Sequence, residues 1–206
     1  MRLLSAVIVA ILGLAAQPAL AQTSSPADPP PARIVGTIDK LDGDMLTVKT
    51  KDGQMATATL KADMAVWGMA KSSLANIKPG DFVASGGIKG TDGKIHAVEV
   101  RIYPEALRGT GEGQRPWNVK PDGVMINATV GTVTQTPDGN VLHVTYKDGE
   151  SEVVVGSDVP VSTYVAGDKG SLTAGLAVFA VAQRSPDGKL TIGRIYVERD
   201  GVKPPS

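Results

Sequence analysis

The feature that most constrains this chain is that it is written twice. Val35-Gly36-Thr37-Ile38 matches Val130-Gly131-Thr132-Val133, and Leu46-Thr47-Val48 matches Leu142-His143-Val144. Lys51-Asp52-Gly53 then matches Lys147-Asp148-Gly149, Ser73-Leu74 matches Ser171-Leu172, and Asp92-Gly93-Lys94 matches Asp187-Gly188-Lys189. The order is kept from end to end, which reads as a tandem duplication of about 70 residues per unit, a size at which single domains are marginal.

Within each unit the apolar residues alternate. Leu46, Val48 and Thr50 share one face, as do Leu142, Val144 and Tyr146, the period of a half-buried strand. Asp-Gly dipeptides punctuate the runs. Those at Asp42, Asp52, Asp92, Asp138, Asp148 and Asp187 supply the positive φ of hairpin turns and are predicted to join neighbouring strands. They are dispersed singly, whereas a calcium loop gathers its acids.

The last strand of each unit slips phase. Ile95 and Ala97 give way to Val98, Val100 and Ile102, and Leu190 and Ile192 give way to Ile195 and Val197. One bulge residue in each restores the inward face and bends the strand. The best helical candidates are Lys71 to Ile77 and Ala106 to Arg108. Three strands, a short irregular segment and two more strands predict an all-β protein of two tandem five-stranded OB-like barrels. The expected boundaries are repeat 1 over 33–104, an ordered Gly/Arg/Trp connector over 105–124, repeat 2 over 125–201 and a tail over 202–206.

The stretch Glu99 to Trp117, the run Asn127-Ala128-Thr129-Val130 and the ending Asp200-Gly201-Val202-Lys203-Pro204-Pro205 resemble a family of exported proteobacterial proteins, the domain of unknown function 5666 family. The resemblance implies a bacterial envelope location and tandem β-barrel repeats. It brings no catalytic residues.

Met1 to Ala21 has one early charge at Arg2, an apolar run from Leu3 to Leu14 and a closing Ala19-Leu20-Ala21, the pattern of a cleaved secretory signal peptide. A Pro-rich linker over 22–32 follows. The expected location is therefore periplasmic or secreted, with no stable membrane insertion after cleavage.

Twenty-one Lys and Arg balance twenty-one Asp and Glu, so the chain lacks the basic surplus of a nucleic-acid binder. Without cysteine it has no disulfide, thiolate metal site or Cys nucleophile. Its hydroxyls lack a nucleophile-elbow context and there are two histidines, so the reading is non-catalytic, with no cofactor. The least repeat-like stretch is the connector, where Glu105, Arg108, Arg115 and Trp117 surround Gly109, Gly111 and Gly113, with Arg101 just upstream. These residues are expected either to clamp the two barrels or to hold an anion through guanidiniums and a glycine-rich backbone nest.

The expected role is a binding module for an envelope protein or a small anionic ligand. The alternative is periplasmic copper binding by the thioethers of Met64 and Met69, which flank Trp67, together with His96. In that alternative the aligned part of repeat 2, read as valines and threonines, holds no equivalent site. Low aromatic content, 4%, weighs against sugar or single-strand binding, which need stacking platforms.

Overall fold

The computed structural model describes residues 29–204, so the signal peptide and most of the Pro-rich linker lie outside the described residues. Twelve strands form one continuous sheet: β1 (Ala32–Asp42), β2 (Met45–Thr50), β3 (Met55–Lys71), β4 (Phe82–Lys89), β5 (Ile95–Tyr103), β6 (Gly113–Pro116), β7 (Gly123–Thr136), β8 (Gly139–Tyr146), β9 (Gly149–Gly156), β10 (Val161–Gly167), β11 (Ala177–Arg184) and β12 (Leu190–Val197). The protein is all-β. The two stretches with weak helical periodicity contain only the single 3-10 turns Leu74–Asn76 and Glu105–Leu107. Among the described residues, no helix is long and apolar enough to cross a membrane.

All six Asp-Gly dipeptides expected in hairpins join adjacent strands. Gly43, Gly53, Gly93, Gly139 and Gly188 take positive φ there, the conformation the turn needs and a Cβ disfavours. The bulges fall where the phase slips. On β5, Gly86 faces Glu99 while Gly87 faces Ala97, which leaves Val98 as the extra residue. On β12 the same slip lies between Thr191 and Ile195.

The pairing departs from the sequence expectation in one decisive respect: neither repeat closes on itself. Strands β1, β2 and β3 close a five-stranded barrel with β11 and β12 from the other repeat, through Ala32↔Ala182 on one side and Val66↔Ile195 on the other. Reciprocally, β4 and β5 of the first repeat pair with β7, β8 and β9 of the second. This second ring is completed by the short parallel seam Ile95↔Val153 and His96↔Val154. The boundary expected near residue 104 is thus a boundary in sequence and not in the core.

The cores confirm the exchange. One joins Ile34, Ile38, Leu46 and Val48 to Ala180, Ile192 and Ile195; the other joins Val83 and Val100 to Ile126, Leu142, Val144 and Val153. Each fully buried aliphatic side chain contributes about 1.5–3 kcal/mol, and in both cores that burial requires both repeats. Strand exchange satisfies the same inward patterns as separate closure, which is why alternation alone does not distinguish them.

The two rings are joined by β10, which pairs antiparallel with β3 and parallel with β5. In the first repeat β3 is unbroken, whereas in the second Pro160 precedes β10 and the corresponding run splits into β9 and β10. Proline has no N–H to donate to a ladder. A third cluster fills the junction: Met69, Leu107, Tyr164 and Tyr196 are buried there, with Trp67, Tyr103, Phe179 and Val202 packed around them. Val202 and the buried Pro204 belong to the expected tail, which folds back through an Arg199↔Val202 bridge.

Candidate functional site

Outward-facing positions of β4, β5 and β7 make a hollow because the central strand carries small residues. Ala84 lies between Arg101 and Asn127 in the ladder, and Gly86 lies between Glu99 and Met125. The indole of Trp117 occupies the space over Gly86. A Cβ built on that glycine would stand 2.9 Å from the Trp117 ring, closer than real Cβ contacts. Trp117 reaches this place because β6 pairs with β7 and the next turn is fastened by Trp117 N–H donating to Gly123 O at 2.7 Å.

Facing this hollow is the outer surface of the first ring. Arg33 lies across from Val181, and Phe179 across from Tyr196, with Arg194 two residues before Tyr196. Between the two surfaces is a cleft of about 820 Å³, within the range of small-molecule sites. Both repeats and the connector contribute to it, and Lys203 and Pro204 of the folded-back tail stand at its margin.

Two properties set the cleft apart. It is lined by five cations, Arg33, Arg101, Arg115, Arg194 and Lys203, against the single carboxylate Glu99, although the chain as a whole is neutral. It is also lined by Tyr103, Trp117, Tyr164, Phe179 and Tyr196, five of the eight aromatic residues in the sequence. The rings run in contact from Tyr103 to Tyr164 (4.8 Å between centroids), Tyr196 (5.2 Å) and Phe179 (5.8 Å), with the Arg33 guanidinium 5.0 Å over Phe179. Burial pushes the Tyr164 hydroxyl well above the ordinary tyrosine range, and neighbouring Tyr103 adds to this. Burial also raises Tyr196, while the Arg194 guanidinium pulls it the other way.

Arg101 is nearly buried and is tied to Glu99. Arg115 donates to Gly111 O at 2.7 Å and to Asn127 Oδ1 at 3.3 Å, both neutral acceptors, and Asn127 in turn donates to Thr110 O at 2.7 Å. Gly109, Gly111 and Gly113 all take positive φ, so the glycine-rich bend is real. Its Thr110 and Gly111 carbonyls accept from Asn127 and Arg115, so the bend positions the Arg115 guanidinium at the cleft.

Of the five residues singled out in the sequence, Arg101, Arg115 and Trp117 come together in the cleft. Glu105 and Arg108 do not. They form a separate clip in which Arg108 Nε donates to both Glu105 oxygens at 2.7 and 2.8 Å and Nη2 to Gly80 O at 2.9 Å. The guanidinium holds the Glu105 carboxyl below its usual range. This clip and β6 fasten the connector to the second ring, whereas β10 is the strand that bonds to both rings.

The copper trio is dispersed. Met64 packs against the core of the first ring, Met69 is buried in the junction, and His96 is on the surface with its Nε2 3.1 Å from Asp92 Oδ2. The ladder also sets Tyr164 at the position in repeat 2 that corresponds to Met69, which corrects the reading of that stretch as valines and threonines. Among the described residues, no three His, Asp or Glu side chains gather as a metal site.

Arg33, Arg194 and Phe179 were missed in the sequence. They lie far apart along the chain, in strands whose neighbours are set by the exchange. The signal that was available was their outward phase opposite the core residues Ile34, Ile195 and Ala180.

No family model matches the chain, and neither curated proteins nor solved structures give a match to it.

Proposed function

We propose that this protein is a non-catalytic binding module of the bacterial cell envelope, built of two OB-like barrels with exchanged strands, that holds a small anionic ligand in the cleft between them. One observation carries this reading: a neutral chain places five cations and one carboxylate around a single cleft, and the carboxylate is already paired with Arg101. Guanidiniums offer planar, bidentate donors to carboxylate or phosphate, and one held by neutral acceptors, as Arg115 is, keeps its charge available to a ligand. The barrel assignment rests on the order β1-β2-β3-β12-β11, a short five-stranded ring with crossing connections, as in OB-type barrels. A binding role without catalysis is favoured because the histidines are outside the cleft: His96 pairs with Asp92 and His143 with Glu150.

The test is calorimetric titration of the purified protein with citrate and with pyrophosphate at low and moderate salt. Saturable binding that weakens as salt rises and is lost in Arg115→Gln supports the reading. Absence of binding to either anion by wild-type protein at low salt refutes it for these ligands and leaves an envelope protein as the partner to seek.

A further inference from the structure

Resting on that reading, we infer that the ligand is a flat-ring anion with more than one negative charge, of the size of a mononucleotide or an aromatic polycarboxylate. Three independent observations converge on this class.

The first is the placement of aromatic surface. In a chain with 4% aromatic residues, a continuous series of rings runs along one side of the cleft from Tyr103 to Phe179, and Trp117 stands on the other. Trp117 is only half-buried, held above Gly86 by a turn. Rings already fully packed would serve the core alone. Tyr164 and Tyr196 are buried and serve the junction, whereas Tyr103, Trp117 and Phe179 are half-buried at the open cleft and offer stacking surface to something flat.

The second is apolar exposure at the same place. Val119 and Val181, 54% and 46% exposed, both line the cleft. Exposed apolar side chains beside aromatic rings are uneconomical around a ligand that is charged throughout, such as citrate or pyrophosphate, and suit one with an apolar body. A neutral apolar ligand is equally ill-matched, because it would desolvate the guanidiniums without compensation.

The third is the number of available charges. Among the described residues, Arg33, Arg115 and Arg194 make no ion pair. A monoanion satisfies one of these three. The Arg33 guanidinium already lies 5.0 Å over the Phe179 ring, which sets a cation and an aromatic surface side by side at the cleft. The volume of about 820 Å³ accommodates one such molecule and is too small for a polymer of them.

The test separates ring from charge. The purified protein is titrated calorimetrically with two matched pairs, trimesate against tricarballylate and ATP against tripolyphosphate, and with adenosine as an uncharged ring. In at least one pair the ring-bearing member is expected to bind about tenfold more tightly, with the difference shrinking in Trp117→Leu and in Phe179→Leu; the pair that shows it identifies carboxylate or phosphate as the charged group. Equal affinities within both pairs overturn the ring and leave the anion site standing. Adenosine binding as tightly as ATP overturns the requirement for charge, and no binding of any of the five overturns both this inference and the function it rests on.

Discussion

Met69 and Tyr164 face one another across the β3–β10 ladder, at positions that correspond in the two repeats. The flanking ladders establish the correspondence, since Val66, three residues before Met69, pairs with Ile195 as Val161, three residues before Tyr164, pairs with Val100. The pair therefore marks the centre of the approximate two-fold relation between the repeats. Both side chains are buried in the junction cluster, a place where one ring's outer surface becomes interior. Met69→Ala is expected to cost about 2–5 kcal/mol and to do so in a single cooperative transition, because the cavity lies between the rings. Denaturant unfolding followed by fluorescence and circular dichroism checks this; two separated transitions would show the rings to be independent.

Because each ring draws strands from both repeats, a break in the connector should leave the protein assembled. Cleavage at Gly111 divides β1–β5 from β6–β12 and cuts neither ring in its core. The two fragments are expected to co-purify and to separate only in denaturant. Expressed apart, each should lack cooperative unfolding, and mixing them should restore it. A half that folds alone to a compact, cooperative state would argue against the exchange.

Gly86→Val places side-chain atoms where the Trp117 ring lies. Displacing the indole costs about 1–3 kcal/mol of overpacking and opens the cleft on that side. The expected result is a red shift of the Trp117 emission, read in a Trp67→Phe background, with weakened ligand binding. Unchanged emission would mean that the indole is held elsewhere in solution.

Arg108→Ala removes the clip to Glu105 and Gly80 without touching the cleft. An exposed ion pair is screened by solvent and contributes little, so stability should hardly change and anion affinity should stay at its wild-type value. A large loss of affinity in this variant, with Arg115→Gln harmless, would exchange the roles assigned to the two arginines.

Two groups give opposite pH signatures. Asp187 is held at about 2, first by Lys189 and then by Ser185, in the turn between β11 and β12. Its lowered value means that it favours the folded state above the ordinary carboxylate range and loses that contribution as pH falls toward 2. Tyr164 is raised by burial, so its contribution is intact below the ordinary tyrosine value near 10 and is lost as pH rises beyond it. NMR titration of Asp187, with its midpoint returning upward in Lys189→Ala, and ultraviolet titration of the tyrosines, with Tyr164 the last to ionise, check both signs.

The sequence made the local structure legible because local structure is governed by local rules. Asp-Gly turns and period-two alternation located the hairpins, and the phase slips at Val98 and near Gly193 located the bulges. Partner choice was hidden. Val83 and Val178 satisfy an inward-facing position equally well in either ring, and no residue in β4 or β11 states which copy of β1 it joins. Arg101, Arg115 and Trp117 stood out because the connector breaks the repeat. Arg33 and Arg194 looked like ordinary solvated charges on strand exteriors until the rings were set side by side. The repeats agree in the core, as at Val100 and Ile195, and differ on the cleft face, where Glu99 corresponds to Arg194 and Arg101 to Tyr196. A symmetric frame thus carries an asymmetric lining.

The pairing of Ala32 with Ala182 also fixes an order of events in time. Strands β4, β5, β7, β8 and β9 are contiguous enough to close their ring once the middle of the chain is present, whereas β1, β2 and β3 must wait for the last two strands to be made. During synthesis the first strands are therefore held open longest, and the loop entropy of joining such distant segments falls on the final step. The ring that holds β1, β2 and β3 can close only after β11 and β12 have been made.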